Sequence, residues 1–254
     1  MTFTKNLIKP LLYTFFALYF VYSVLSRAPA ELAAFAAHAA VPNLWLTGVE
    51  GTLWSGKASA AQVDLQQAVF PLGNVTWVLE PWTLLLLSPC VNVEATRPGL
   101  LLTGKVCQSI TGSTRLSDVS LETIVDPVNE LLPVKISGQT SVSVLKAKFK
   151  KTQVQELDAR VSWLNGSVYT GESWLAVGSY GANLNDAGKG EISAHVFDVD
   201  APLKVDMAAN WQMDRGWKTE GTVSPVPSAP ELLKNGIQLV GEELEPGVYK
   251  VIWP

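Results

Sequence analysis

The chain has 254 residues, 48% of them hydrophobic, with 19 basic and 23 acidic side chains and a net charge of −4. That length buries a core of ordinary size, the apolar content excludes a disordered chain, and the acidic balance argues against a nucleic-acid partner. A mean hydropathy of +0.20 is high for a protein without a membrane segment.

Such a segment opens the chain. Between Leu7 and Leu25 the single charge is Lys9, and Leu7, Leu11, Phe15, Phe20 and Leu25 mark out the apolar run. At roughly 1.5 Å per helical residue it reaches about 28 Å, close to a hydrocarbon core of about 30 Å. Lys5 and Lys9 precede it with no acid to offset them, which predicts a cytoplasmic N-terminus and an anchor within residues 1–27. Three basic residues and no acidic one precede Ala28, so the remainder carries a net charge of −7. The competing reading is a cleaved signal peptide ending at the small-x-small triplet Ala37-His38-Ala39. About a dozen residues separate that triplet from Leu25, longer than the usual link to a cut site, and the uncleaved anchor is the expectation carried forward.

After the membrane, Pro29 to Ala40 has strong helix formers and Pro42 beyond them, which predicts a short helix. Pro-then-Glu-Leu segments recur at Pro127 to Pro133 and at Pro230 to Gly236. Next comes Gly48-Val49-Glu50-Gly51-Thr52-Leu53-Trp54-Ser55-Gly56, whose glycines leave Leu53 and Trp54 on a strand between positions suited to tight turns or close backbone approach. Downstream, Leu72 to Trp82 contains Asn74-Val75-Thr76-Trp77 and Glu80-Pro81-Trp82, and is followed by the run Leu84 to Leu87. That run reads as a strand with both faces covered or projecting into a groove.

Together these segments resemble the type II secretion system protein N family, and Gly48, Gly51, Leu53, Trp54, Gly56, Trp77 and Pro81 carry the resemblance. The pattern extends over nearly the whole chain. The stretch from Asp198 to Pro202-Leu203 is similar to the family as well. The tail departs from it, because Gly247-Val248-Tyr249 continues into Val251-Ile252-Trp253-Pro254. The resemblance implies a single-pass inner-membrane protein with a periplasmic C-terminal domain. It implies a non-enzymatic role in exporting folded periplasmic proteins across the outer membrane, with the inner-membrane platform proteins of that system as partners.

Cys90 and Cys107 flank two strand-like segments joined at Pro98-Gly99. A two-residue turn there sets Arg97 opposite Leu100 and, seven steps out, Cys90 opposite Cys107. That is a non-hydrogen-bonded pair with Cα atoms about 4.5 Å apart, within disulfide range. A bulge beside the turn would shift the register and leave two buried thiols instead.

Period-two alternation dominates the rest. Val142-Ser143-Val144, Leu145 to Lys150 and Leu203 to Met207 place apolar and polar residues on opposite faces, and Asn165-Gly166 and Asp186 to Gly190 read as turns. The fold class is therefore mainly β: a transmembrane helix followed by an antiparallel sheet with short helices and one buried face. An offset of 86 carries Trp77 onto Trp163, Gly104 onto Gly190 and Val119 onto Val205. This predicts two similar units, one in residues 28–132 with its leading helix and one in 133–225, before a helix and strand in 226–254.

Chemistry is sparse. The two histidines, His38 and His195, are too few for a histidine metal cluster, and no nucleotide loop or Gly-x-Ser-x-Gly motif occurs. Asp198 and Asp200 share a strand face, where a solvated pair or a turn outweighs a cation site. No catalytic residue, metal or cofactor is expected. Lys146, Lys148 and Lys150 project together; edge protection or plain solvation is their ordinary role, and an acidic partner or anionic lipid their functional one. Trp77 and Trp163 are expected in the core, and Trp45, Trp54 and Trp82 at a surface. The alternative function is a membrane-anchored β-groove protein that binds or transfers lipid on an apolar face.

Overall fold

A computed structural model describes residues 3–65, 69–125, 129, 134–151, 153–212 and 215–253, with side chains from Leu12 onward. Two helices lead: α1 (Phe3–Ser26) and α2 (Ala30–Ala40). The first strands are β1 (Leu44–Gly51), β2 (Ser55–Asp64) and β3 (Val69–Leu79), followed by the short helix α3 (Pro81–Leu85). Then come β4 (Cys90–Arg97), β5 (Leu100–Gln108), β6 (Ser113–Ile124), β7 (Ile136–Lys150), β8 (Gln153–Tyr169) and β9 (Trp174–Gly188). The chain closes with β10 (Glu191–Asp200), β11 (Leu203–Gln212), β12 (Gly216–Pro225), α4 (Glu231–Val240), β13 (Glu242–Glu245) and β14 (Val248–Trp253).

All fourteen strands join one antiparallel sheet, in chain order from β1 to β12 and then β14 and β13. From β1 to β12 each strand pairs with the one that follows it in the chain, which keeps the register local and lets alternation set the faces. One row of paired residues crosses thirteen strands: Val49, Ala58, Val75, Ala95, Leu102, Leu121, Val142, Val161, Ala182, Val196, Met207, Gly221 and Val251. Every member is apolar or glycine. The adjacent row on the opposite face runs Lys57, Thr76, Glu94, Thr103, Ser120, Ser143, Arg160, Asn183 and His195. One face is thus apolar across thirteen strands, and the other is polar from β2 to β10.

Among the described residues no second layer covers most of the apolar face. Helix α2 packs Ala30 and Ala33 on Ala58, Trp77, Leu46 and Val49 at one end, and α4 lies against β12 and β14 at the other. Between them Leu102, Leu121, Val142, Val161, Val196 and Met207 stay only half-buried. The surface area is large as well, with exposed α1 and the open face both contributing. The chain exposes 16700 Å², against roughly 11,000 Å² for a compact monomer of its mass.

Several expectations change. Leu84 to Leu87 form no strand: Pro81 starts α3 from the extended Glu80, and Leu85 is followed by a turn. Proline fits the first helical turn and leucine is a good helix former, so the run coils. Leu53 and Trp54 occupy the turn between β1 and β2 instead of a strand. Asn165-Gly166 is a bulge within β8, not a hairpin, with Asn165 at φ 51° and its N–H bonded to Ser179 Oγ. Strand β7 pairs with β6 and β8, so its lysines protect no edge. The helix expected at Pro127 to Pro133 lies outside the described residues apart from Asn129.

For the anchor, α1 is an unbroken helix of 24 residues. Among the described residues no helix is long and apolar enough to cross a membrane. Leu7 and Leu11 lie outside the described side chains, and Leu12 to Leu25 span only about 21 Å of helix. Doubling of the sheet is not shown, since β6 and β7, on either side of the expected boundary, pair with each other within the one sheet. A local likeness does exist. Trp77 donates its indole N–H to Leu53 O at 3.3 Å and lies over Gly56, while Trp163 donates to Ser137 O at 3.2 Å and lies over Gly166.

Candidate functional site

The glycine-rich turn binds α1 to the sheet. Gly51, at φ 102°, leads into Thr52-Leu53-Trp54-Ser55, where Thr52 N–H bonds to Ser55 O at 2.9 Å. The turn projects Leu53 N–H onto Ala28 O at 2.8 Å and the Trp54 indole N–H onto Leu25 O at 2.7 Å, while Pro29 bridges to Thr52. Carbonyls in the last turn of a helix have no intrahelical partner, and Leu25 O, which takes Ala28 N–H at 3.1 Å, gains Trp54 as a second donor. A Cβ at Gly56 would collide with the Trp77 ring. The expected motif residues therefore converge: Gly51, Leu53, Trp54, Gly56 and Trp77 form one clasp, with Gly48 opposite Ser59 in the same hairpin. What the sequence did not reveal is that the clasp holds the helix.

Hydrogen bonds continue from the clasp along this end of the sheet. Leu79 N–H bonds to Trp54 O at 2.7 Å, and Glu80 N–H to Cys90 O at 2.9 Å on either side of α3. Ile110 N–H, in the β5–β6 turn, bonds to Leu87 O at 3.2 Å. Glu80 accepts from Lys105 Nζ at 2.7 and 2.8 Å and from Asn92 Nδ2 at 3.0 Å. The Lys105 bond, then the Asn92 bond, hold its carboxyl below the ordinary carboxylate range. Cys90 and Cys107 sit opposite each other in the β4–β5 register and are joined in a disulfide with Cα atoms 4.0 Å apart. Pro81 starts the helix that rides over this framework. Above it, Trp82, Leu85 and Leu86 are each more than 70% exposed.

The lysine row is less free than its spacing suggests. Lys146 donates to Glu156 at 2.6 Å, which pushes its pKa up, while Lys148 and Lys150 stand opposite Arg115 and Ser113 on β6. Elsewhere on the sheet, His195 Nε2 meets Asp206 Oδ1 at 2.8 Å on the exposed polar face. Asp198 accepts from Lys204 Nζ at 2.7 Å and from Val205 N–H at 2.9 Å, and a register shift separates it from Asp200. Burial pushes its pKa up, and the bonds from Lys204 and Val205 more than offset this, leaving it below the usual range. Among the described residues no group of three or more His, Cys, Asp or Glu is placed to hold a metal ion. On the apolar face, Arg97 stacks 5.3 Å from the Phe70 ring centroid, and its buried Nε and Nη2 have no hydrogen-bond partner among the described residues.

Trp45 is half exposed against the His38 ring, and Trp163 is half-buried beside Tyr180 on the apolar face. The site thus has two parts: a clasped helix exit with an apolar end, and an open apolar face. Neither presents converging groups for bond chemistry among the described residues.

Residues 42–252 match the family model described as type II secretion system (T2SS), protein N. The chain is similar to the type II secretion system protein N of Aeromonas hydrophila, 26% identical over 209 residues, covering 79% of this chain and 80% of that protein. No solved structure matches it.

Proposed function

Because the chain belongs to the type II secretion system protein N family, we propose that it is a non-enzymatic inner-membrane component of that system, supporting export of folded periplasmic proteins across the outer membrane. The match over residues 42–252 carries this reading, since it spans the whole sheet. Helix α1 is the single-pass anchor in this proposal. Its apolar run begins at Leu7, and its described side chains from Leu12 to Leu25 are exposed except Ser23, which is half-buried. The N-terminus is cytoplasmic by the rule of basic flanks, and the sheet stands in the periplasm, where a Cys90–Cys107 disulfide persists. The polar face, with Lys146, Lys148 and Lys150, docks inner-membrane platform subunits. The likeness of the Trp77 and Trp163 environments supports a sheet grown from two related units.

The middle of the apolar row, half-buried from Leu102 to Met207, favours a second reading, a sheet that binds or transfers lipid. A photo-crosslinking residue placed at Lys148 and, separately, at Val142 tests both in cells. Secretion-system subunits captured from Lys148 support the first reading. Lipid captured from Val142, with no subunit from either position, favours the second. Unchanged secretion after deletion of the chromosomal copy removes the first.

A further inference from the structure

Seven features share one end of the sheet: the β1–β2 turn, α3, the β5–β6, β7–β8, β9–β10 and β11–β12 turns, and the end of β14 at Trp253. The chain leaves α1 at this same end, because Trp54 and Leu53 hold the carbonyls of Leu25 and Ala28. Beside that exit stand Trp82, Leu85, Leu86, Leu87 and Ile110, all large, apolar and exposed, and bonded to one another through Ile110 N–H and Leu87 O. Further along the rim are the cations Lys150 at the end of β7, Lys151 in the β7–β8 turn and Lys189 in the β9–β10 turn. The acid nearest the apolar cluster, Glu80, is occupied by Lys105.

We propose that this rim lies on the bilayer that α1 crosses, with α3 and the β5–β6 turn dipping into the headgroup layer and Lys150, Lys151 and Lys189 over anionic lipid. The inference rests on α1 being a membrane anchor. Once α1 spans the bilayer, the bonds from Trp54 and Leu53 bring its exit and this rim to the same surface, a few residues from α3. The composition suits that depth: tryptophan and leucine partition into the interface, and lysines reach anionic headgroups. The occupant is therefore lipid rather than protein. The rim orients the sheet upright, with its opposite end, including the β8–β9 turn at Glu172, farthest from the membrane.

The full chain in vesicles of zwitterionic lipid with about a third anionic lipid provides the test. An environment-sensitive fluorophore is attached at Leu18→Cys in α1, at Leu86→Cys on the rim, or at Glu172→Cys at the far end, one site at a time. The native cysteines are paired and do not compete. The Leu18 and Leu86 probes are expected to be quenched by lipid-borne nitroxide and shielded from aqueous iodide several-fold relative to the Glu172 probe. Lys150→Glu with Lys151→Glu is expected to move the Leu86 probe toward water in anionic vesicles and not in neutral ones.

Quenching at Leu18 with a Leu86 probe as iodide-accessible as Glu172 overturns the rim contact and leaves the anchor standing. Absence of quenching at both removes the anchor and the rim contact with it. Shielding of Leu86 in detergent that rises with protein concentration assigns the patch to a second copy and overturns the proposal.

Discussion

Trp54 does two jobs with one ring. Its backbone carbonyl receives Leu79 N–H and so fastens β3 to the turn, while its indole N–H caps the last turn of α1. A net hydrogen bond of this kind contributes about 1 kcal/mol, a roughly fivefold change in a local opening equilibrium. Trp54→Phe is therefore expected to raise trypsin cleavage after Arg27 about fivefold with little change in the sheet's melting temperature. A cleavage rate equal to that of the parent protein would mean that Leu53 and Pro29 hold the exit alone. Arg97 presents the opposite case. Two of its guanidinium nitrogens are buried without a partner among the described residues, and the face contact with Phe70 recovers only part of that desolvation. Leaving a buried donor unpaired costs about 1–3 kcal/mol, so Arg97→Met, which keeps the length of the side chain, is expected to raise stability by about 1 kcal/mol in chemical denaturation. A loss of similar size would show that the guanidinium is satisfied by water.

Helix α3 is held as an element by three restraints: the Cys90–Cys107 bond beneath it, the Thr83 hydroxyl that accepts Cys90 N–H at 2.9 Å, and the Glu80–Lys105 pair at its start. The last restraint is pH-dependent. The pKa of Glu80 is lower in the folded chain than its ordinary value, so its contribution is complete above the usual carboxylate range. It is lost as the pH falls through the lowered folded value. The melting temperatures of the parent and of Glu80→Gln are expected to differ above the ordinary carboxylate range and to converge as the pH falls through the lowered folded value, as followed by circular dichroism. The hairpin under α3 was legible in the sequence because Pro98-Gly99 sets a two-residue turn, and every pair out to Cys90 and Cys107 follows by counting. Other features were not, for local reasons. Four leucines suit a strand or a helix equally, and only Pro81 tips them into α3. Asn165-Gly166 has turn chemistry, yet the left-handed Asn165 is absorbed as a bulge because β8 already has a partner on each side. Strand order is invisible in an alternating lysine row, which is why β7 read as an edge and lies in the middle.

At the scale of the whole molecule, the sheet is wide, single-layered and sided. Alternation in each strand foretold a buried face; that face is apolar but open in its middle, from Leu102 to Met207, and its continuity appears only when the registers of successive hairpins are laid end to end. An uncovered apolar surface of this extent is uncommon on a monomer and marks a place where something binds. It also has a mechanical consequence. A charge placed in a sealed core would be desolvated and would cost several kcal/mol, whereas on a half-buried position of an open face its head reaches water. Val142→Lys, in the middle of the row, is thus expected to lower stability by only about 1 kcal/mol. It is expected to abolish retention of a fluorescent fatty acid and of any lipid that accompanies the detergent-purified chain. Ser143→Lys, one residue away on the polar face, should leave both unchanged. Loss of fatty-acid retention with an intact melting transition ties lipid binding to the open face. If Val142→Lys unfolds the protein, that position is sealed by a second layer and the face is not open. If retention survives alongside a normal transition, the apolar row is a packing surface for a protein partner and not a lipid path.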